Sequence, residues 1–447
     1  MSSAPLPSPP SKGGVFEGVT GYHWLVVIIA SCGWLFDCMD QRLFILAREP
    51  ALKELLAGNA DAVARVKSYI GWATTAMIIG WATGGIIFGM MSDKVGRVKT
   101  MVATLLVYSG FTGLSGTAQS WQMFVAYRFL VGLGVGGMFG AATTLVAESV
   151  PGGFRALALG SLQALSATGN VLGSLISLKI PPGAAGYWGE YSGWRVLFFV
   201  GILPAILIVP IIFVLREPEA WKQAKAAAQA GGNRKVGSPV ELFRHPRWRR
   251  NTTIGLLLGV SGMIGLWGIG FFSPELISTA LKDSPQEVVD KVRGVGTALQ
   301  DVGAFLGMMT FTFVASFLSR RLAFLGAFAL CLGITMFVFQ SLNSASDAYW
   351  MLPMMGFAQL AVFAGYSIYF PELFPTRLRG TGVGFCYNTV RYLAAPAPAL
   401  LGVLSTQMSF RTAAIVMSSV YLVGMIALIW APETKGQPLP EDEPVAA

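Results

Sequence analysis

Apolar residues run along this chain in blocks of about twenty, separated by short stretches rich in Gly, Pro, Lys and Arg. A block of that length, wound as a helix, crosses the hydrocarbon core of a bilayer. The pattern predicts twelve such helices: 23–46, 68–91, 100–118, 121–147, 155–178 and 195–215, then 251–274, 294–318, 322–340, 348–370, 380–405 and 409–430. Between the sixth and seventh lies a polar segment, 216–250, which reads as a linker holding Arg216, Lys222, Lys225, Arg234, Lys235, Arg244, Arg247, Arg249 and Arg250. The chain divides accordingly into bundles over 21–215 and 251–430, with tails at 1–20 and 431–447. The first tail, rich in Ser, Pro and Gly, reads as disordered, and no basic leader with a cleavage site precedes the first span, which is retained. Arg48–Lys67 reads as an outer amphipathic helix or cap, and the acidic end from Glu441 as solvated.

Composition agrees with an all-α membrane protein. Hydrophobic residues make up 54% and charged residues only 12%, against about 25% charged in soluble domains. The net charge of +9 sits in loops between spans, which is a topology signal rather than a nucleic-acid patch. Lys and Arg crowd the side that would hold both termini, so the termini are expected in the cytoplasm and the protein in the cell (plasma or inner) membrane. Two His and four Cys (Cys32, Cys38, Cys331, Cys386, all in apolar blocks) offer neither a metal site nor a disulfide framework. No nucleophile–base pair, phosphate loop or zinc-ligand spacing stands out, so neither an enzyme nor a bound cofactor is expected.

An internal repeat accompanies the two bundles. Glu148, Pro151, Arg155 and Gly160 recur as Glu372, Pro375, Arg379 and Gly384, each 224 residues later. Each set closes a span on the inner side, where a Glu–Arg pair can form and Pro can open the next helix. Duplicated bundles of this kind place a substrate site between the halves near mid-membrane.

Charges inside the spans are the candidate chemistry, since an ionised group at membrane depth is costly and usually lines a functional cavity. Asp37 and Asp40 share one face of the first helix, with Arg42 beyond them; the alternative is a cluster that snorkels outward. Asp40 lies about 9 Å below the outer end of its span and Arg128 about 10 Å below the start of span 4, so the two can pair. Making and breaking that pair would change the proton affinity of the carboxylate; a permanent structural ion pair is the other reading. Arg391 lies about 17 Å into span 11. Either it takes a carboxylate ligand with its planar fork, or it pairs with Asp301 of span 8. Asn388, Tyr392, Gln163, Asn170, Gln300, Gln359, Tyr366, Tyr369 and Trp267 are further candidates to line the cavity, each with helix packing as its alternative role.

Several motifs resemble a known family. Gly89, Asp93, Lys94, Gly96 and Arg97, between spans 2 and 3, match the pattern Gly-x-x-x-Asp-Lys-x-Gly-Arg, which resembles the signature loop of the major facilitator superfamily. Arg128 followed by Gly132, Gly134, Gly136 and Gly137 resembles that superfamily's fourth-helix motif. The stretch Pro371–Gly382 and the tail Pro432–Gly436 resemble its sugar-porter and organic-acid branches. Phe36-Asp37-x-x-Asp40 is similar to the Asp-x-x-Asp element of aromatic-acid and sialic-acid proton symporters, although Cys38-Met39 stands where those commonly have Gly-Tyr or Gly-Phe. The resemblance implies two pseudo-symmetric six-helix bundles and proton coupling through Asp37, Asp40 and Arg128. It also implies a cytoplasmic gate that includes Gly89, Asp93, Lys94, Gly96, Arg97, Glu148, Arg155, Glu372 and Arg379. The second-half counterpart of the signature loop, Ser319-Arg320-Arg321, has neither Asp nor Gly, so the inner lock is expected to rest mainly on the first half.

Together these readings predict a transporter that moves a small organic anion with protons, working as a monomer in the lipid bilayer. The alternative is a porter for sugars or other neutral solutes, whose sites need neutral hydrogen-bonding groups and little fixed charge. A drug–proton antiporter fits less well, because span 5 lacks the Gly-Pro-x-x-Gly-Gly element of such proteins.

Overall fold

The computed structural model describes residues 14–58, 66–229 and 235–441. Among these the chain is helical, and twelve spans, labelled α1 to α12, can be followed in order. They are Gly21–Leu55 (α1), Val66–Val95 (α2), Arg97–Ser115 (α3), Trp121–Ser149 (α4), Gly152–Ala164 with Ser166–Lys179 (α5) and Gly193–Val214 (α6). The second half contains Pro246–Gly268 (α7), Gln286–Phe317 (α8), Arg320–Ser341 (α9), Ala345–Leu373 (α10), Arg379–Ala394 with Ala397–Gln407 (α11) and Phe410–Ala427 (α12). Starts are set by local chemistry: Ser120, Ser319 and Ser409 each accept a backbone N–H in the first turn of α4, α9 and α12. The α11 helix breaks at Ala395–Pro396, where proline removes a donor.

Large apolar side chains such as Leu178, Ile206, Phe213, Phe313 and Leu393 remain more than half exposed, as expected of surfaces whose solvent is lipid rather than water. Without a hydrophobic force between helices, close packing needs small residues. The glycines after Arg128 supply it. A Cβ on Gly136 would sit 2.1 Å from the Trp81 carbonyl oxygen of α2. The second half repeats the device between α8 and α10, where a Cβ on Gly303 would meet the Pro353 carbonyl oxygen at 2.0 Å.

The halves meet most tightly along α2 and α11, where a Cβ on Gly384 would meet the Gly85 carbonyl oxygen at 2.3 Å. The first and last described residues and the described parts of the linker gather on one face, called here the linker face. Phe16 packs on Phe154 at 5.6 Å between ring centroids. The linker is not an open tether: it carries the helices Glu219–Gln229 and Pro239–Arg244. Trp221 is buried there and donates to the Asp93 carbonyl at 2.7 Å. The α7 helix starts at Pro246, five residues before the apolar block, so Arg247, Trp248, Arg249 and Arg250 form its first turn. On the opposite face α1 runs on through Pro50 to Leu55, so the expected outer cap begins as a continuation of that span; residues 59–65 lie outside the described ones. So do 1–13, 230–234 with Arg234, and 442–447.

Candidate functional site

Three ionisable clusters lie between or within the halves. The first is built on α1. Asp37 and Asp40 are both fully buried. Asp40 accepts a hydrogen bond from Thr112 of α3 at 2.9 Å, and its second oxygen lies 3.9 Å from an Arg128 nitrogen of α4. Arg128 donates to Ser115 and is boxed by aromatic rings, with Phe198 of α6 4.6 Å from its guanidinium. The pair predicted by depth therefore forms, but loosely, with much of the cation's contact made to a hydroxyl and a ring. Neither oxygen of Asp37 accepts a hydrogen bond of normal geometry, although the buried Tyr108 lies beside it.

The second cluster surrounds Arg391 on α11. Its guanidinium lies over Trp81 of α2 at 4.0 Å and over Tyr387 at 4.6 Å. It donates to the Tyr387 carbonyl at 2.7 Å and to Asn388 Oδ1 at 2.9 Å, while Nε has no partner. Asn388 fits only because Gly85 of α2 has no side chain: a Cβ there would meet the amide at 2.0 Å. Trp267 of α7 meets Trp81 edge-on at 6.3 Å. Toward the linker face, Tyr387 stacks on Phe139 of α4 with centroids 3.8 Å apart, and Trp34 of α1 closes the aromatic floor. Asp301 does not pair with Arg391. It binds Arg42 at 2.6 Å, and both remain partly exposed. Among the described residues Arg391 keeps no carboxylate within ion-pair distance.

Other residues expected around the cavity are engaged elsewhere. Tyr366 donates to the Leu258 carbonyl inside the second half, Tyr369 to the Pro432 carbonyl at the linker face, and Gln359 to Thr335. These bonds, with ring contacts such as Tyr366 on Phe370, are ones that helix packing alone would make. Tyr392 is exposed and shares a 2.5 Å hydrogen bond with Thr83 of α2. Gln163 is buried with an unpaired carbonyl oxygen, whereas Gln300 and Asn170 are half-buried.

The third cluster closes the linker face. Asp93 at the end of α2 crosses to the other half and caps α11, accepting from the Gly380 and Thr381 backbones and the Thr381 hydroxyl at 2.9, 2.7 and 2.6 Å. Arg97 binds Asp93 at 3.0 Å and Glu148 at 2.9 Å, and Glu148 reaches Arg379 of the other half at 2.6 Å. Of the two repeated arginines, Arg379 of the other half and not Arg155 pairs with Glu148; Arg155 instead donates to the Ala147 carbonyl. Gly96 has φ +134°, and a Cβ there would strike Glu217, whose carboxylate caps the start of α3. Lys94 is exposed.

The second half carries a counterpart charge cluster at Ser319-Arg320-Arg321 although that loop has neither Asp nor Gly, but it stays within its own half, whereas Asp93, Arg97 and Glu148 of the first half reach across to the other. Arg320 binds Glu372 at 3.0 Å, as Arg97 binds Glu148, and Glu433 accepts from the Arg320 and Arg321 backbones and the Ser319 hydroxyl, as Glu217 does for α3. Arginine and carboxylate chemistry was kept while the Asp and Gly were lost. Burial works to raise the Glu433 carboxyl, but the Ser319 hydroxyl and the backbone donors outweigh it and hold it below its ordinary value. A signal for these caps was present in the sequence, an acidic residue next to proline just past spans 6 and 12. Glu441 is not free either, since it accepts from Thr376 at 2.9 Å.

Two helical bundles related by a repeat, meeting around buried charges and latched on one face, define a membrane transporter. Residues 31–397 match the model of the Major Facilitator Superfamily, and the chain belongs to that family. It is 31% identical over 353 residues to the cis,cis-muconate transport protein of Acinetobacter baylyi, covering 78% of this chain and 82% of the relative. It is 28% identical to the sialic acid transporter NanX of Escherichia coli, over 89% of this chain and 88% of the relative. Among solved structures, the proton:xylose symporter XylE superposes with a TM-score of 0.74 at 18% identity, over 94% of this chain and 98% of that one; at that identity the likeness is one of fold.

Proposed function

We propose that this protein is a proton-coupled symporter for a small organic anion, working by alternating access with its linker face in the cytoplasm. The observation that carries this reading is the coexistence, within the membrane-spanning helices, of a guanidinium that has no carboxylate partner among the described residues and a separate acid cluster. Arg391 is held rigid between two rings, with Nε unengaged. A planar cation kept in place without a counter-ion fits a carboxylate ligand. Muconate and sialate, the solutes named for two relatives, both bear carboxylates. A neutral sugar would leave the charge uncompensated.

Asp37 is fully buried one helical turn from Asp40, and among the described residues neither of its oxygens accepts a hydrogen bond, so it is a second carboxyl at the same cluster that a proton could use. The 3.9 Å Asp40–Arg128 contact is loose enough to be remade or broken as the helices tilt. In this scheme a proton enters at Asp40 or Asp37, the anion docks at Arg391, and parting of Asp93, Glu148 and Arg379 opens the linker face. Uptake into proteoliposomes under an inward proton gradient tests it, with labelled muconate, an aromatic acid, sialate and a hexose, each with and without protonophore. Gradient-dependent accumulation of an acid is expected. Hexose uptake indifferent to protonophore would overturn the scheme and reduce Asp37 and Asp40 to structural charges.

A further inference from the structure

We propose that a groove between the start of α7 and the end of α12 is a binding site for an anionic phospholipid. The groove has a volume of about 320 Å³ and is lined by Arg249, Arg250, Ile254, Leu257, Ala427 and Trp430, with Pro246 and Thr253 at its edge. Its two ends differ in chemistry. One carries the guanidinium groups, and the other is a slot of aliphatic and ring surface running along α7 into the membrane.

The charge is uncompensated. Residues 244–250 read Arg-His-Pro-Arg-Trp-Arg-Arg, with no acid among them. Arg244 alone reaches a carboxylate, loosely, at 3.9 Å from Glu241; among the described residues no ion pair involves Arg247, Arg249 or Arg250. Arg250 donates through Nε and Nη2 to the Trp430 carbonyl at 3.2 and 2.7 Å. That contact satisfies an orphan carbonyl past the end of α12 and fixes the groove's width. Arg249 is exposed, and among the described residues its side chain makes no hydrogen bond or ion pair. Trp430, 54% exposed, supplies the amphipathic ring that favours the headgroup level.

A phosphodiester at Arg249 with one acyl chain along Ile254, Leu257 and Trp430 would satisfy both ends at once. A zwitterionic lipid brings its own cation beside the arginines, so the site favours a headgroup with net negative charge. A water-soluble phosphate would leave the apolar slot empty. Because α7 and α12 belong to the same half, the lipid would brace that half without tying it to the other, and transport does not require its release.

The test is native mass spectrometry of the full-length protein, extracted into detergent with equal phosphatidylglycerol and phosphatidylcholine of identical chains. Retention favouring phosphatidylglycerol by about threefold or more is expected. Arg249→Gln should bring the ratio near parity, and Leu257→Trp, which fills the slot and keeps the charges, should reduce retention of both lipids. Arg244→Gln, outside the groove, should leave the ratio unchanged. Equal retention of the two lipids by the wild type would overturn the site. So would an Arg244→Gln effect equal to that of Arg249→Gln, which would mean diffuse surface charge. Displacement of the lipid by millimolar glycerol phosphate would place recognition in the free phosphate instead. Thermal unfolding of each variant without added lipid checks that it is folded.

Discussion

Arg42 on α1 and Asp301 on α8 pair at 2.6 Å, joining the two halves away from the linker face while each stays about one-quarter to one-fifth exposed. This pair settles two open questions of the sequence: Arg42 does not simply snorkel to the headgroups, and Asp301 is not the partner of Arg391. A partly solvated pair is worth little to stability, about 1 kcal/mol or less. It can still bias an equilibrium between access states. Asp301→Asn is expected to leave unfolding almost unchanged and to favour opening on the side opposite the linker. Labelling of a cysteine introduced at Gln300 by a membrane-impermeant maleimide should quicken; unchanged labelling would remove the pair from gating.

The acid cluster predicts uncoupling rather than loss of binding. In Asp40→Asn the Thr112 hydrogen bond can persist, but the group no longer titrates. Uphill accumulation should vanish while substrate counterflow continues. Full accumulation by this variant would show that Asp40 is not part of coupling. Asp37→Asn should behave alike, with little loss of thermal stability, because among the described residues neither carboxyl oxygen it replaces accepts a hydrogen bond.

Arg391 should be intolerant even of lysine. An ammonium cannot stack flat between Trp81 and Tyr387 or offer two parallel donors. Arg391→Lys is expected to raise KM for the acid by about tenfold or more, equivalent to at least ~1.4 kcal/mol, with a smaller effect on the maximal rate. Tyr366→Phe, which loses only its bond to the Leu258 carbonyl, should leave KM unchanged. Kinetics of uptake over a range of substrate concentrations separates the two.

The charge cluster of the second half carries a pH signature. Glu433 is held below its ordinary value of 4.5 by the Ser319 hydroxyl and backbone donors, which outweigh its partial burial. A depressed folded-state value means its stabilisation is complete above about pH 4.5 and is lost as pH falls through the lower folded value. Glu433→Gln should therefore lower Tm at pH 6–8, and the gap to the wild type should close on acidification below pH 4. A gap that persists at low pH would mean that the side chain acts by packing alone.

Much of this molecule was legible in the order of its residues. Span positions followed from apolar block length, and the pairing level of Asp40 and Arg128 from rise per residue. The repeat located Glu148, Arg379 and their counterparts at one membrane face, because a duplicated bundle places equal positions at equal depth. What the sequence could not supply was the choice of partner. Arg391 had Asp301 and a ligand as equal prospects; Glu148 had Arg155 nearby; Arg320 had no Asp in its own loop to suggest a partner. These choices depend on which helices lie side by side across the interface, and on rotation about their axes, which depth arithmetic leaves open. The aromatic residues Trp81, Tyr387 and Phe139 escaped notice for the same reason: in an apolar chain a ring at the site looks like a ring in the core.

The sequence by itself determined twelve spans, a duplicated bundle, and which charges lie within the membrane, since transfer energy and helix pitch are local properties. Only the tertiary structure decided that Asp301 belongs to Arg42, that Arg391 lies against Trp81 and Tyr387 with no carboxylate beside it among the described residues, and that Arg320 pairs with Glu372. Those are facts of juxtaposition between helices distant in the chain, fixed by packing at glycine contacts such as Gly85 against Gly384.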